Sequence, residues 1–122
     1  MLSQEDKEFI AQVRHSVLTT YQRNGVAQMS ILSVGPFGDG VAFTSMGITA
    51  RVANLKRDPR CSMLLSHEDW SRYMVLEGHA KVLSADRTDP EQLRLALRDA
   101  YRVIHKRENS DWTEFDEIQR FE

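Results

Sequence analysis

The chain has 122 residues, 16 basic against 18 acidic side chains for a formal charge of −2, and is 41% hydrophobic. That length suits one domain over 1–122, and the near-even charge excludes a broad electrostatic footprint for nucleic acid or an anionic membrane. The lone Cys61 excludes an intramolecular disulfide, and no Cys/His spacing points to zinc.

The start MLSQEDKEF is too polar for a signal peptide, and no apolar run reaches the roughly 20 residues of a membrane-spanning helix. A cytoplasmic protein is the expectation. A monomer of this size buries only about two-thirds of its unfolded surface, so a partner subunit would add useful burial.

Ser3 and Asp6 read as an N-cap with a partial capping box, and Phe9, Ile10, Val13 and Val17 recur at helical spacing. A helix is predicted over about 4–15. Val17-Leu18-Thr19-Thr20-Tyr21 reads as a strand, Asn24-Gly25 as a tight turn, and Val26 to Val34 as a second strand. Residues 35–40, GPFGDG, read as a turn, followed by a third strand over Val41 to Ser45.

Residues 49–57 predict a short helix with Ala50, Ala53, Asn54 and Leu55 on its packed side, stopped by Pro59. Cys61 to Ser66 is a fourth strand and 67–71 a polar loop. Tyr73 to Leu83 is a fifth strand, with Gly78 expected at a bulge or close approach. Pro90 opens a helix with the stripe Leu93, Ala96, Leu97, Ala100, Tyr101 and Ile104. A last short helix carries Trp112, Phe115 and Ile118. Hairpin-connected strands point to an antiparallel, barrel-like sheet with flanking helices.

The segment TSMGITARVANLKRDPR is the most informative. A strand ends in Thr44 and Ser45, and a helix opens at Thr49 and Arg51. Helix N-termini present unpaired N–H groups and a positive dipole end, which suit a phosphate, and Arg51 adds a fork of donors. The same pattern fits a plain N-cap beside a solvated arginine. His15, His67, His79 and His105 are scattered without a catalytic partner, and Cys61 reads as a buried, inert thiol. Trp70 and Tyr73 suit stacking on a planar ligand, closing a barrel end, or an interface.

Taken in order, VLTTYQRNGVAQMSIL, VAFTS, TARVANLKRDPR and YMVLEGHAKVL resemble the pyridoxamine 5′-phosphate oxidase-like superfamily of FMN-binding-type split β-barrels. Asn54-Leu55-Lys56-Arg57-Asp58-Pro59-Arg60, with Tyr101 to Ile104 and Ser110-Asp111-Trp112, most resemble its deazaflavin-dependent branch. The small chain, with its apolar Met29, Ile31, Met63, Leu65, Met74 and Leu76, puts the second, third and fifth strands in a dimer interface as an expectation. The resemblance implies a homodimer with a cofactor at that interface. That cofactor would be coenzyme F-420 or, alternatively, FMN. Carried over by position, Thr44, Ser45, Thr49 and Arg51 would meet its phosphate. Gln28, Ser30 and Leu32 would lie beside its ring, and Trp70 and Tyr73 would come from the partner.

An oxidoreductase that moves hydride to a small molecule is the implied activity. A non-enzymatic module that holds a flavin, haem or another ligand is the other reading. Two departures stand out. Thr49 occupies a position that is basic in the family, and the chain ends at Glu122, where the family continues into a closing strand.

Overall fold

The computed structural model describes residues 2–45 and 49–105. It begins with helix α1 (Gln4–Gln12), whose capping box is complete: Ser3 Oγ accepts from the Asp6 N–H, and Asp6 Oδ2 from the Ser3 N–H. The helix ends at Gln12, three residues short of the expected end, with Val13 as its extended C-cap. Phe9, Ile10 and Val13 enter the core.

Strands β1 (Ser16–Tyr21) and β2 (Ala27–Leu32) form an antiparallel hairpin. Its turn is hydrogen-bonded through Gln22 and Val26. Gly25 supplies the positive φ of 85°, and Asn24 Oδ1 accepts from the Val26 N–H. After α2 (Ala50–Arg57), strand β5 (Arg60–Ser66) returns beside β1, and β6 (Tyr73–His79) pairs with it. The resulting four-stranded sheet has the order β2-β1-β5-β6.

Residues 35–40 are more than a turn. Strand β3 (Gly35–Phe37) and strand β4 (Gly40–Ala42) pair as a separate two-stranded sheet. Helix α3 (Pro90–His105) lies on this hairpin so closely that a Cβ on Gly35 would sit 2.4 Å from the Val103 carbonyl oxygen. The third strand is shorter than expected, ending at Ala42. Among the described residues the two sheets do not close into one barrel.

Three further expectations are corrected. Strand β6 stops at His79, not Leu83, because its partner β5 begins only after Pro59, so Arg60↔His79 is the last pair. Gly78 sits in unbroken register opposite Cys61 with open space beside it, so it marks neither a bulge nor a close approach. The amphipathic segment with Trp112, Phe115 and Ile118 falls outside the described residues.

Register assigns the faces. Leu18, Leu32, Met63 and Leu65 point inward with Phe9, Ile10, Val13, Val34 and Leu55, and Met74 and Leu76 pack against this cluster. Met63, Leu65, Met74 and Leu76, read from sequence as interface candidates alongside Met29 and Ile31, therefore belong to the core side. The opposite face carries Met29, Ile31 and Val75 in the open.

Candidate functional site

Helix α2 organises the predicted phosphate residues at one end. Thr49 takes the N-cap position with extended backbone, yet its hydroxyl makes no cap hydrogen bond to the helix. Thr49 Oγ1 instead lies 2.9 Å from Ser45 Oγ, and Arg51 Nε donates to the same Ser45 oxygen at 2.9 Å. Two strand-to-helix hydroxyls and one guanidinium thus converge where the helix dipole is positive. Thr44 is exposed next to this group. The donor set fits a phosphate: hydroxyls that can donate, backbone N–H groups and a permanent cation.

At the other end of α2 the charges are taken up by the fold. Arg57 Nη2 donates to Asn54 Oδ1 at 2.9 Å and to the Tyr21 carbonyl at 2.8 Å. Lys56 pairs with Asp86. Arg60 forks onto Asp58 and lies 5.2 Å from the Tyr21 ring centroid. The Arg60 side chain and its backbone N–H hold the Asp58 carboxyl down at about 2. Hydrogen bonds from Ser84 and then Lys56 hold Asp86 at about 2 as well.

Gln28 and Ser30 project to the same side of β2 as Leu32. Gln28 Oε1 accepts from Asn54 Nδ2 at 2.6 Å, and Thr20 Oγ1 accepts from the same nitrogen at 3.1 Å. Ser30 is half-buried opposite Leu18. Leu32, 7% exposed, is part of the core cluster.

Asn54 is the residue the sequence reading passed over. It was placed on the packed side of the helix without partners, although a polar side chain there must find hydrogen bonds. It is 6% exposed and ties α2 to both strands of the hairpin.

Trp70 and Tyr73 stand apart, beside the Ser16 end of β1, while Asn54 meets the hairpin at Thr20, about 13 Å along the strand. Both are 71% exposed. The turn bonded from the Trp70 N–H to the His67 carbonyl puts Trp70 at φ 62°, rare for a bulky residue. Trp70 borders an open cavity of about 360 Å³ with His15, Val17, Ile31, Leu64 and His67. His67 stacks on Phe9, and its Nε2 is the one buried side-chain N or O atom without a partner among the described residues. Burial raises the Cys61 thiol pKa, which makes it a poor nucleophile. No group of three or more metal-ligating side chains occurs among the described residues, and no helix there is long and apolar enough to cross a membrane.

The sequence pattern of pyridoxamine 5′-phosphate oxidase matches residues 2–116. The chain belongs to the pyridoxamine 5′-phosphate oxidase family. Solved structures agree on the fold. A conserved hypothetical protein from Mycobacterium tuberculosis superposes with a TM-score of 0.76 at 20% identity, over 98% of this chain and 74% of that one. An F-420 reductase gives 0.62 at 19%, over 91% and 87%.

A pyridoxamine 5′-phosphate oxidase-related, FMN-binding protein from Nostoc punctiforme gives 0.62 at 17%, over 73% of this chain and 47% of its own length. The heme storage protein of Vibrio cholerae gives 0.61 at 17%, over 80% and 74%. Such identities establish a shared fold, and by their names these proteins differ in ligand chemistry. No curated protein matches the chain by sequence.

Proposed function

We propose that this member of the pyridoxamine 5′-phosphate oxidase family is an oxidoreductase that uses coenzyme F-420 and acts on a small molecule. The observation that carries the reading is the convergence of Ser45, Thr49 and Arg51 at the N-terminal end of α2. These three would hold the cofactor phosphate, and Gln28 and Ser30 would flank its ring. When bound, a deazaflavin supplies hydride transfer, while the protein binds it, orients it and excludes water.

The choice of F-420 over FMN follows from charge. The terminal phosphate of FMN is doubly charged and calls for several donors at once. Position 28, where the FMN-dependent branch has an arginine, holds an uncharged glutamine bonded to Asn54. Lys56, Arg57 and Arg60 are bonded to Asp86, Asn54 and Asp58. Arg51 with helix N–H groups better suits a phosphodiester. Isothermal titration of apo-protein with both cofactors at one salt concentration tests this. Tighter binding of F-420 is expected, and FMN binding tenfold or more tightly would overturn it.

The proposal includes a two-fold homodimer. The exposed sheet face with Met29, Ile31, Tyr73 and Val75 supports it, because so large an apolar face on a small protein calls for cover. In that assembly Trp70 and Tyr73 of the partner subunit would approach the cofactor of the first. Sedimentation should show a dimer at micromolar concentration and a monomer for Ile31→Glu. A wild-type monomer would contradict the assembly.

A further inference from the structure

Arg57 sets the polarity of a chain of amides that ends on Gln28. A guanidinium donates and cannot accept, so the Asn54 atom facing Arg57 Nη2 at 2.9 Å must be Oδ1. That leaves Asn54 Nδ2 to meet Thr20 Oγ1 at 3.1 Å and Gln28 Oε1 at 2.6 Å. An amide nitrogen only donates, so the Gln28 atom facing it must be the oxygen. Gln28 is half-buried, and its Nε2 makes no hydrogen bond among the described residues. Reversing Gln28 would set two N–H donors face to face. Reversing Asn54 as well would set its amide nitrogen against Arg57. Burial of Asn54 and Thr20 keeps water from relieving either clash.

We propose that Gln28 Nε2 is a specificity-determining donor, reading a hydrogen-bond acceptor on the ring edge of the cofactor, and that Asn54 is the positioning residue that holds this polarity. The inference rests on the flavin-type reading of the site. The ligand chemistry it selects is a planar heterocycle that turns a carbonyl oxygen or an acceptor ring nitrogen toward β2. A ring edge presenting N–H there is disfavoured.

The experiment is a double-mutant cycle read in cofactor affinity, using F-420 and FMN with wild type, Gln28→Met, Asn54→Asp and the double variant. Asn54→Asp keeps the bond to Arg57 but turns an acceptor toward Gln28, which flips the Gln28 amide and presents its oxygen to the ring. Each single variant should weaken binding about tenfold, and the double variant also about tenfold, because both remove one interaction. An additive loss of about a hundredfold would overturn the positioning role, and unchanged affinity in Gln28→Met would overturn the donor role.

In unliganded protein, the Gln28 side-chain amide resonances should move in Asn54→Asp, and unmoved resonances would overturn the polarity argument. Wild-type protein that binds neither cofactor would overturn the flavin-type reading and the ligand assignment built on it, while the resonances still judge the polarity separately. Should Asn54→Asp fail to fold, Asn54→Ser, whose hydroxyl both donates and accepts, takes its place in the cycle with a smaller expected loss.

Discussion

The two ends of α2 carry similar residue types and do different work. At the C-terminal end every cation is engaged by the fold: Arg57 by Asn54 and the Tyr21 carbonyl, Lys56 by Asp86, Arg60 by Asp58. At the N-terminal end Arg51 reaches Ser45, whose hydroxyl also meets Thr49. Two hydroxyls and a guanidinium thus cluster at the positive end of a helix, where the proposed phosphate would sit. One end serves as an anchor, and the other is the proposed cradle. A short basic motif such as NLKRDPR therefore says little about ligand binding until the partner of each charge is known.

That division can be broken by substitution. Arg57→Ala leaves Asn54 Oδ1 buried without its charged donor, so unfolding stability should fall by about 1–3 kcal/mol, read from the denaturant midpoint. Cofactor affinity should fall as well, by up to about the tenfold that loss of the Gln28 donor gives, because Arg57 fixes the polarity of that amide chain. A variant as stable as wild type would mean that the anchor is not at this end.

The smaller effect concerns Asp58, whose carboxyl is held at about 2 against an ordinary 3.8 by the Arg60 side chain and N–H. A depressed carboxylate pKa adds stability above the unfolded value, and that contribution is lost as pH falls through the folded value. The stability it gives is thus present above about pH 4 and fades toward pH 2. The pair is exposed, so the effect is modest. Asp58→Asn should flatten the fall in melting temperature over that window, leaving the part due to Asp86. An unchanged slope would remove the pair from the anchor.

Much of this was legible in the residues. The capping box of α1, the Asn24-Gly25 turn, the start of α2 and the apolar stripe of α3 follow from local chemistry. Strand β3 was hidden because Gly35-Pro36-Phe37-Gly38 has the composition of a turn, and it is seated by α3 some 65 residues later. The faces of β5 were hidden as well. Met63, Leu64 and Leu65 are all apolar, so a period of two gives no direction, and candidates for core and interface were mixed. At the site, Arg51 could be placed from the helix start. The role of Asn54 could not, since its partners on the hairpin lie 26 and 34 residues away.

The central claim is that a cofactor phosphate sits at the N-terminal end of α2. Titrating coenzyme F-420 into wild type, Arg51→Ala and Arg60→Ala at one ionic strength tests it most directly. Losing a charge-assisted contact costs about 1.5–3 kcal/mol, so Arg51→Ala should bind roughly ten- to a hundredfold more weakly, and Arg60→Ala should lose distinctly less. Equal losses in both variants would show a diffuse electrostatic effect and contradict the assigned site.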